Sequence, residues 1–229
     1  MKISVIVLGY NNKELTLDCL NSLMVQDYPI YEIVYVDNNS SDGVVLAIHQ
    51  KFPFVKTIRL FENRLYAGGM NVGIMRSEGD IFLCLNNDTN LDRSCIREIC
   101  AYMQDKQIGC ANPKIITDGS DKSISKLKCF GLIPYTVSEG EPDYANGCAM
   151  ILNRKALAEV GLFDMSLGMY FEDVDLSLRM KKAGYKIGFI SKAIVWHKGG
   201  ASVKKIPWKT KWYVNRNRLK MLFRYGGRK

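Results

Sequence analysis

Short apolar runs alternate along the chain with stretches in which apolar positions recur at helical spacing. Residues 2–8 alternate and then fill with Ile and Val, and 31–36, 55–61 and 81–85 are further runs of this kind. Runs so short, bounded by polar or turn residues, predict strands buried on both faces. Leu15, Cys19, Leu20 and Leu23 recur at helical spacing behind an asparagine expected to cap them, and Tyr28-Pro29 closes that unit. A second helix is predicted over 45–52, and a third begins within the glycine-bearing stretch 63–74. Beyond residue 85 the pattern predicts a helix over 92–104 and a strand over 108–116. A strand over 146–152, a short helix over 155–160 and closing strands over 185–190 and 193–196 follow. Val174 and Leu178 define a last helix that ends at Gly184. Residues 118–143 show no clear period, and a loop of that length reads as a flexible flap. Strand and helix alternating at this spacing give an α/β fold, a mostly parallel sheet with right-handed crossovers and helices on both faces.

The 229 residues suit one sizeable α/β domain with at most a short appendage. Ten of the 32 basic residues fall within 204–229, which holds no acid, so the remaining 22 bases face 23 acids and the body is near neutral. A basic groove for nucleic acid across the domain is thereby excluded, and the tail is expected to meet a local anionic surface such as a membrane. No apolar run reaches the ~18 residues that span a bilayer. The first residues enter a strand directly, without the cleavage site of a signal peptide, and the seven cysteines lack Cys-x-x-Cys spacing. They read as reduced core residues of a cytosolic protein.

The candidate chemistry lies where strands end. The run 81–85 stops at Asn86, Asn87 and Asp88, and ligands of open α/β sheets bind beyond the carboxyl ends of strands. A lone carboxylate there can hold a hard divalent cation together with phosphate oxygens; the same residues also suit a plain polar loop or N-cap. Asp37 is the first residue beyond the second strand, where an acid can accept from a uracil or thymine ring or a ribose hydroxyl, or simply cap a turn. The turn after the first strand has the single glycine Gly9, so no nicotinamide fingerprint is present. Gly68, Gly69 and Gly73 let backbone approach a ligand or serve helix–sheet packing. Glu172 and Asp173 fall at a helix N-terminus, where the macrodipole favours their ionised form, either as functional acids or as caps. His197 follows the last strand directly.

Seven motifs in order resemble a family 2 glycosyltransferase of the GT-A fold, in the branch of rhamnosyl- and galactofuranosyltransferases. They are Val-Ile-Val-Leu-Gly-Tyr-Asn-Asn (5–12), Val-Asp-Asn-Asn-Ser-Ser-Asp (36–42), Ala-Gly-Gly-Met-Asn-Val-Gly (67–73), Leu-Asn-Asn-Asp-Thr (85–89), Gly-Leu-Phe-Asp (161–164), Phe-Glu-Asp-Val-Asp-Leu (171–176) and Trp-His (196–197). The resemblance implies that residues 1–203 form a nucleotide-sugar glycosyltransferase domain. It implies that Leu8, Gly9 and Tyr10 line a base pocket and that Asp37, Gly69, Asn71, Asn86, Asn87 and Asp88 complete the nucleotide-sugar site. Asp88 and His197 would hold Mn²⁺ or Mg²⁺, Asp173 would act as general base and Glu172 would orient the acceptor. Asn86 stands where the common motif has its first Asp, and Met70 where many relatives carry a base-contacting Arg.

The expected reaction is an inverting transfer from a dTDP- or UDP-linked sugar to a glycan or lipid-linked saccharide, at the cytoplasmic face of a membrane. Residues 118–143 would cover the acceptor side. Residues 204–229 would form a basic amphipathic helix with Trp208, Trp212, Leu219 and Phe223 on one side, held at an anionic surface. A non-catalytic nucleotide-sugar-binding or tethering module is the alternative. A nucleotidyltransferase is disfavoured because Gly9-Tyr10-Asn11-Asn12 is not a basic glycine-rich loop.

Overall fold

The computed structural model describes residues 1–121, 124–128, 133–137, 140–198 and 207–226. Strand β1 (Ile3–Gly9) leads into α1 (Lys13–Met24), β2 (Glu32–Asp37), α2 (Val44–Lys51), β3 (Lys56–Arg59), α3 (Leu65–Met75) and β4 (Ile81–Asn86). Then come β5 (Thr89–Leu91), α4 (Cys95–Tyr102), β6 (Ile108–Thr117), β7 (Ser120–Asp121), β8 (Ile124–Lys128) and β9 (Ile133–Val137). The chain continues through β10 (Ala149–Asn153), α5 (Arg154–Val160), α6 (Glu172–Lys182), β11 (Lys186–His197) and α7 (Pro207–Tyr225). The main sheet runs β3-β2-β1-β4-β10-β6-β11-β5, with β7 on β6, while β8 and β9 form a separate ladder.

Side-chain alternation along β1 divides the core. Ile3, Val5 and Val7 join one buried cluster with Cys19, Ile48 and Ile96 of α1, α2 and α4. Ile6 and Leu8 join another with Met70, Leu157 and Leu176 of α3, α5 and α6. Helices therefore cover both faces, as a strand period of two requires when neither face meets water. The six cysteines described are unbonded and buried.

Parallel pairing holds for β1 with β2 and β4, for β2 with β3 and for β6 with β11. Strand β10 runs antiparallel to both β4 and β6, so β6 and β11 point the same way as β4. The carboxyl ends of β1, β2, β4 and β11 thus open on one edge of the sheet.

Several expectations change. The closing strands over 185–190 and 193–196 are one strand, β11, whose register slips between Ile190 and Ile194; an irregularity inside a strand breaks alternation and reads in sequence as a gap. The helix over 92–104 shrinks to α4, because the Asp92 N–H donates to the Ile194 carbonyl of β11 while its side chain accepts from the Ser94 N–H in a turn. The stretch 118–143 carries β7, β8 and β9, which their mixed polarity concealed. Asn12 adopts φ 61° and makes no side-chain cap. Asp42 caps the helix from the next loop instead, accepting from the Lys13 N–H at 2.7 Å.

Candidate active site

A cleft of about 960 Å³ opens at this sheet edge, within the size range of small-molecule sites. Leu8, Gly9 and Tyr10 from β1 and its turn, and Asn86, Asn87 and Asp88 from the end of β4, line one part. Gly147, Glu172, Asp173 and His197 line it too, as do Ile133 and Pro134 of β9.

Strand β5 builds the pairing of Asp88 with His197. The chain turns back after Asn86, Thr89 registers opposite His197, and the Lys198 N–H donates to the Asp88 carbonyl at 3.0 Å. As a result His197 Nε2 lies 3.3 Å from Asp88 Oδ1, an oxygen that is buried and accepts no hydrogen bond among the described residues. Two ligand atoms bound at ~2.1 Å and a right angle lie roughly 3 Å apart, so the pair fits adjacent positions on one cation. The described residues include no cluster of three or more His, Cys, Asp or Glu that could hold a metal.

Asp173 is fixed by backbone. Its Oδ2 accepts from the Gly147 N–H at 2.9 Å and its Oδ1 from the Val174 N–H at 2.8 Å. Gly147 is held in turn: Asn112 donates to the carbonyls of Asn146 and Ala149 and accepts from the Asn146 N–H. The Tyr66 hydroxyl donates to the Gly147 carbonyl. A Cβ on Gly147 would come within 3.2 Å of Tyr66, which would have to give by a few tenths of an ångström, and would rest in ordinary contact 3.5 Å from Asp173 Oδ2.

Both acids of α6 depart from the macrodipole expectation. Burial pushes Glu172 well above the usual carboxylate range, and the neighbouring Asp173 adds to this. Burial raises Asp173 as well, opposed by the N–H groups of Gly147 and Val174. Desolvation outweighs the helix terminus here, because the dipole contributes at most ~2 kcal/mol in partly buried geometries and full burial of a carboxylate costs more. Glu172 Oε2 is buried without a hydrogen-bond partner, so Glu172 is the carboxyl that keeps its proton and Asp173 the one that ionises first.

A raised folded-state value means that the native protein binds the Glu172 proton more tightly than the unfolded chain does. The stability this contributes is present below the unfolded carboxyl value of ~4.3 and is lost as pH rises through the folded one. Glu172→Gln is therefore expected to raise Tm at pH 8 more than at pH 4, read by thermal melts across that range. An equal shift at both ends would mean that the fold binds the Glu172 proton no more tightly than the unfolded chain does.

The remaining predicted site residues divide. Asn87 is 7 % exposed and donates to the Asn11 carbonyl and to Thr16 Oγ1, which pins the β1–α1 turn. Asp37 is buried outside the cleft lining, accepting from the Ser40 N–H at 3.0 Å and facing Arg59 at 3.5 Å; its neighbour Asn38 lines the cleft. Gly69 and Asn71 do not line it. A Cβ on Gly69 would meet Leu8 at 2.5 Å, and Asn71 exchanges two hydrogen bonds with the backbone of Phe163. Met70 is fully buried in the core. Tyr66, Gly147 and Asn112 are the supports that sequence reasoning missed. The small residues of 146–152 were the only signal.

Helix α7 forms another wall through Lys209, Thr210, Tyr213, Val214 and Arg218. It docks through Met221, which is 1 % exposed, and through Asn217, whose Nδ2 lies 2.7–2.9 Å from the carbonyls of Leu167, Met169 and Tyr170. Arg224 pairs with Asp164 and Asp175, and Arg216 and Lys220 reach the Ser166 carbonyl. Much of the tail's charge therefore faces the domain, unlike the free cationic face expected from sequence. The stretch before α7, 199–206, lies outside the described residues.

Among solved structures, GalNAc-T7 with UDP, GalNAc and Mn²⁺ superposes with TM-score 0.77 at 16 % identity, over 86 % of this chain and 44 % of that one. Staphylococcus aureus TarS with UDP gives 0.70 at 19 % identity, over 98 % and 66 %. Mannosyltransferase PcManGT from Pyrobaculum calidifontis with GDP-Man and Mn²⁺ gives 0.67 at 18 %, over 88 % and 58 %. The architecture is thus the GT-A fold of glycosyltransferases. Residues 4–161 match the model of glycosyl transferase family 2, and the chain belongs to that family. It is 27 % identical over 204 residues to the poly-β-1,6-N-acetyl-D-glucosamine synthase of Staphylococcus epidermidis, covering 85 % of this chain and 49 % of that protein. The synthase of Staphylococcus aureus strain COL gives 26 % over 198 residues, covering 82 % and 47 %. The chain spans about half the length of these curated relatives.

Proposed function

We propose that the protein is an inverting glycosyltransferase that moves a sugar from a nucleoside diphosphate to a hydroxyl of a cell-surface glycan or its lipid-linked precursor. The observation that carries this reading is the presence in one cleft of the Asp88–His197 pair and the backbone-held Asp173. A divalent cation on Asp88 and His197 would neutralise the departing diphosphate. Asp173, the carboxylate that ionises first, accepts the proton of the incoming hydroxyl, and neutral Glu172 can donate a hydrogen bond to the acceptor. With one base and no second carboxylate placed as nucleophile, a single in-line displacement inverts the anomeric carbon. Leu8, Gly9 and Tyr10 supply the base end, with Asp37 behind them. A dTDP- or UDP-linked donor agrees with the sequence resemblance, and related structures hold UDP or GDP-Man.

Release of nucleoside diphosphate from UDP-, dTDP- and GDP-sugars with Mn²⁺ tests the reading. Release from none of them, with or without a glycan acceptor, would favour a binding module. Because Asp173 is raised in the ligand-free protein, the acid limb of kcat/KM is expected above the ~3.9 of a free aspartate; a limb at or below that value would assign the base elsewhere.

Contact with a membrane forms part of the proposal. No described helix is long and apolar enough to cross a bilayer. Trp208, Trp212, Leu219 and Phe223 are 67, 53, 57 and 86 % exposed and fall within about 60° on a helical wheel. Since Arg216, Lys220 and Arg224 are engaged with the domain, insertion of this aromatic face, more than charge, would hold the helix at the headgroups. Trp208→Ser with Phe223→Ser is expected to cut co-sedimentation with anionic liposomes several-fold. Recovery equal to that of the parent would remove the membrane from the proposal.

A further inference from the structure

Arg218 stands apart from the other arginines of α7. Arg216 donates to the Ser166 and Leu167 carbonyls and Arg224 pairs with Asp164 and Asp175, so both have partners on the domain. Arg218 points into the cleft, and its Nε is buried without a hydrogen-bond partner among the described residues. Lys209, nine residues earlier on the same helix, lines the same cleft. A guanidinium N–H removed from water and left unpaired is unfavourable, so its persistence needs a compensating ligand. The cleft also holds the carboxyls of Asp88, Glu172 and Asp173, none of which forms an ion pair with Arg218.

We propose that Arg218 binds phosphate oxygens in the cleft, so that α7 is part of the substrate site as well as an appended helix. A sugar hydroxyl would be served by any neutral amide. The planar guanidinium of Arg218 instead matches the bidentate geometry of a phosphate. The phosphate can belong to the donor diphosphate or to a lipid diphosphate that carries the acceptor. The chemistry of recognition is the same for both.

This inference rests on the cleft being the donor site, and the test separates the two. The intact chain is first titrated calorimetrically with UDP, dTDP and GDP in Mn²⁺. Absence of binding to the parent protein, to these and to inorganic pyrophosphate alike, would overturn both the donor-site reading and the inference. Where the parent binds, Arg218→Gln is expected to weaken the diphosphate and inorganic pyrophosphate about tenfold or more while leaving the unphosphorylated nucleoside unchanged, with partial recovery in Arg218→Lys. That outcome assigns the donor phosphates. Unchanged nucleotide affinity, with a similar loss for geranyl diphosphate added to the nucleotide-saturated enzyme, assigns the acceptor phosphate. Because Arg218 Nε makes no internal hydrogen bond, Tm is expected to hold in Arg218→Gln. A fall in Tm with no change in any of these affinities would make the arginine structural and overturn the inference, as would unchanged affinities at unchanged Tm.

Discussion

Asp173→Asn is expected to lower glycosyl transfer by about 10² or more while leaving nucleotide affinity within a few-fold of the parent. The substitution keeps the volume and one oxygen, so an acceptor from the Gly147 or Val174 N–H survives. What disappears is a carboxylate able to take the proton of the incoming hydroxyl. The surroundings make the effect specific to the chemical step, since Gly147 is fixed by Asn112 and Tyr66 independently of residue 173. Single-turnover transfer and calorimetry on the same preparation separate the two quantities. Turnover within a few-fold of the parent would move the base to another residue.

Asp88→Ala should abolish the metal dependence of nucleotide binding. Asp88 Oδ1 is buried beside His197 Nε2 and has no internal hydrogen bond to lose, so the change costs the fold little. It removes the anionic ligand of the pair, and an imidazole alone is a poor anchor for a hard cation that prefers oxygen. His197→Ala, which keeps the carboxylate, is expected to weaken Mn²⁺-dependent binding less. Calorimetry with UDP or dTDP, with and without Mn²⁺, measures both. Metal-dependent affinity that survives in Asp88→Ala would place the cation elsewhere.

How far the sequence revealed this site depended on whether a residue's role was local. Ile81–Asn86 could be recognised because five apolar residues followed by polar ones describe a buried strand and its end without reference to anything else. Asp88, Asp173 and His197 were found as strand-end or helix-end groups. The pairing of Asp88 with His197 depends on β5, whose three residues carry no periodic signal and exist because β11 lies beside them. Asn71 illustrates a contact that sequence does not show. It sits in a glycine-rich motif that suggests a ligand, yet it grips the backbone of Phe163, 92 residues away, and that partnership leaves no local trace. The acids of α6 were misjudged electrostatically for a related reason. Proximity to a helix terminus is visible in sequence, whereas the extent of burial around Glu172 is a property of the assembled fold.

Asn217 links the outer helix to the start of α6 in a way that resembles a latch. Tyr170 and Phe171 both hold positive φ, 69° and 70°, immediately before Glu172, a backbone path that side chains disfavour. The amide of Asn217 gathers the carbonyls on this path, and its own oxygen accepts from Arg216 Nε at 2.9 Å. If the outer face of α7 rests on a bilayer, rocking of that helix would be transmitted through one side chain to the segment that aims Glu172 and Asp173. A surface on which the protein lands would then also tune the alignment of the proposed base, and the distance between landing and chemistry would be the width of a single asparagine.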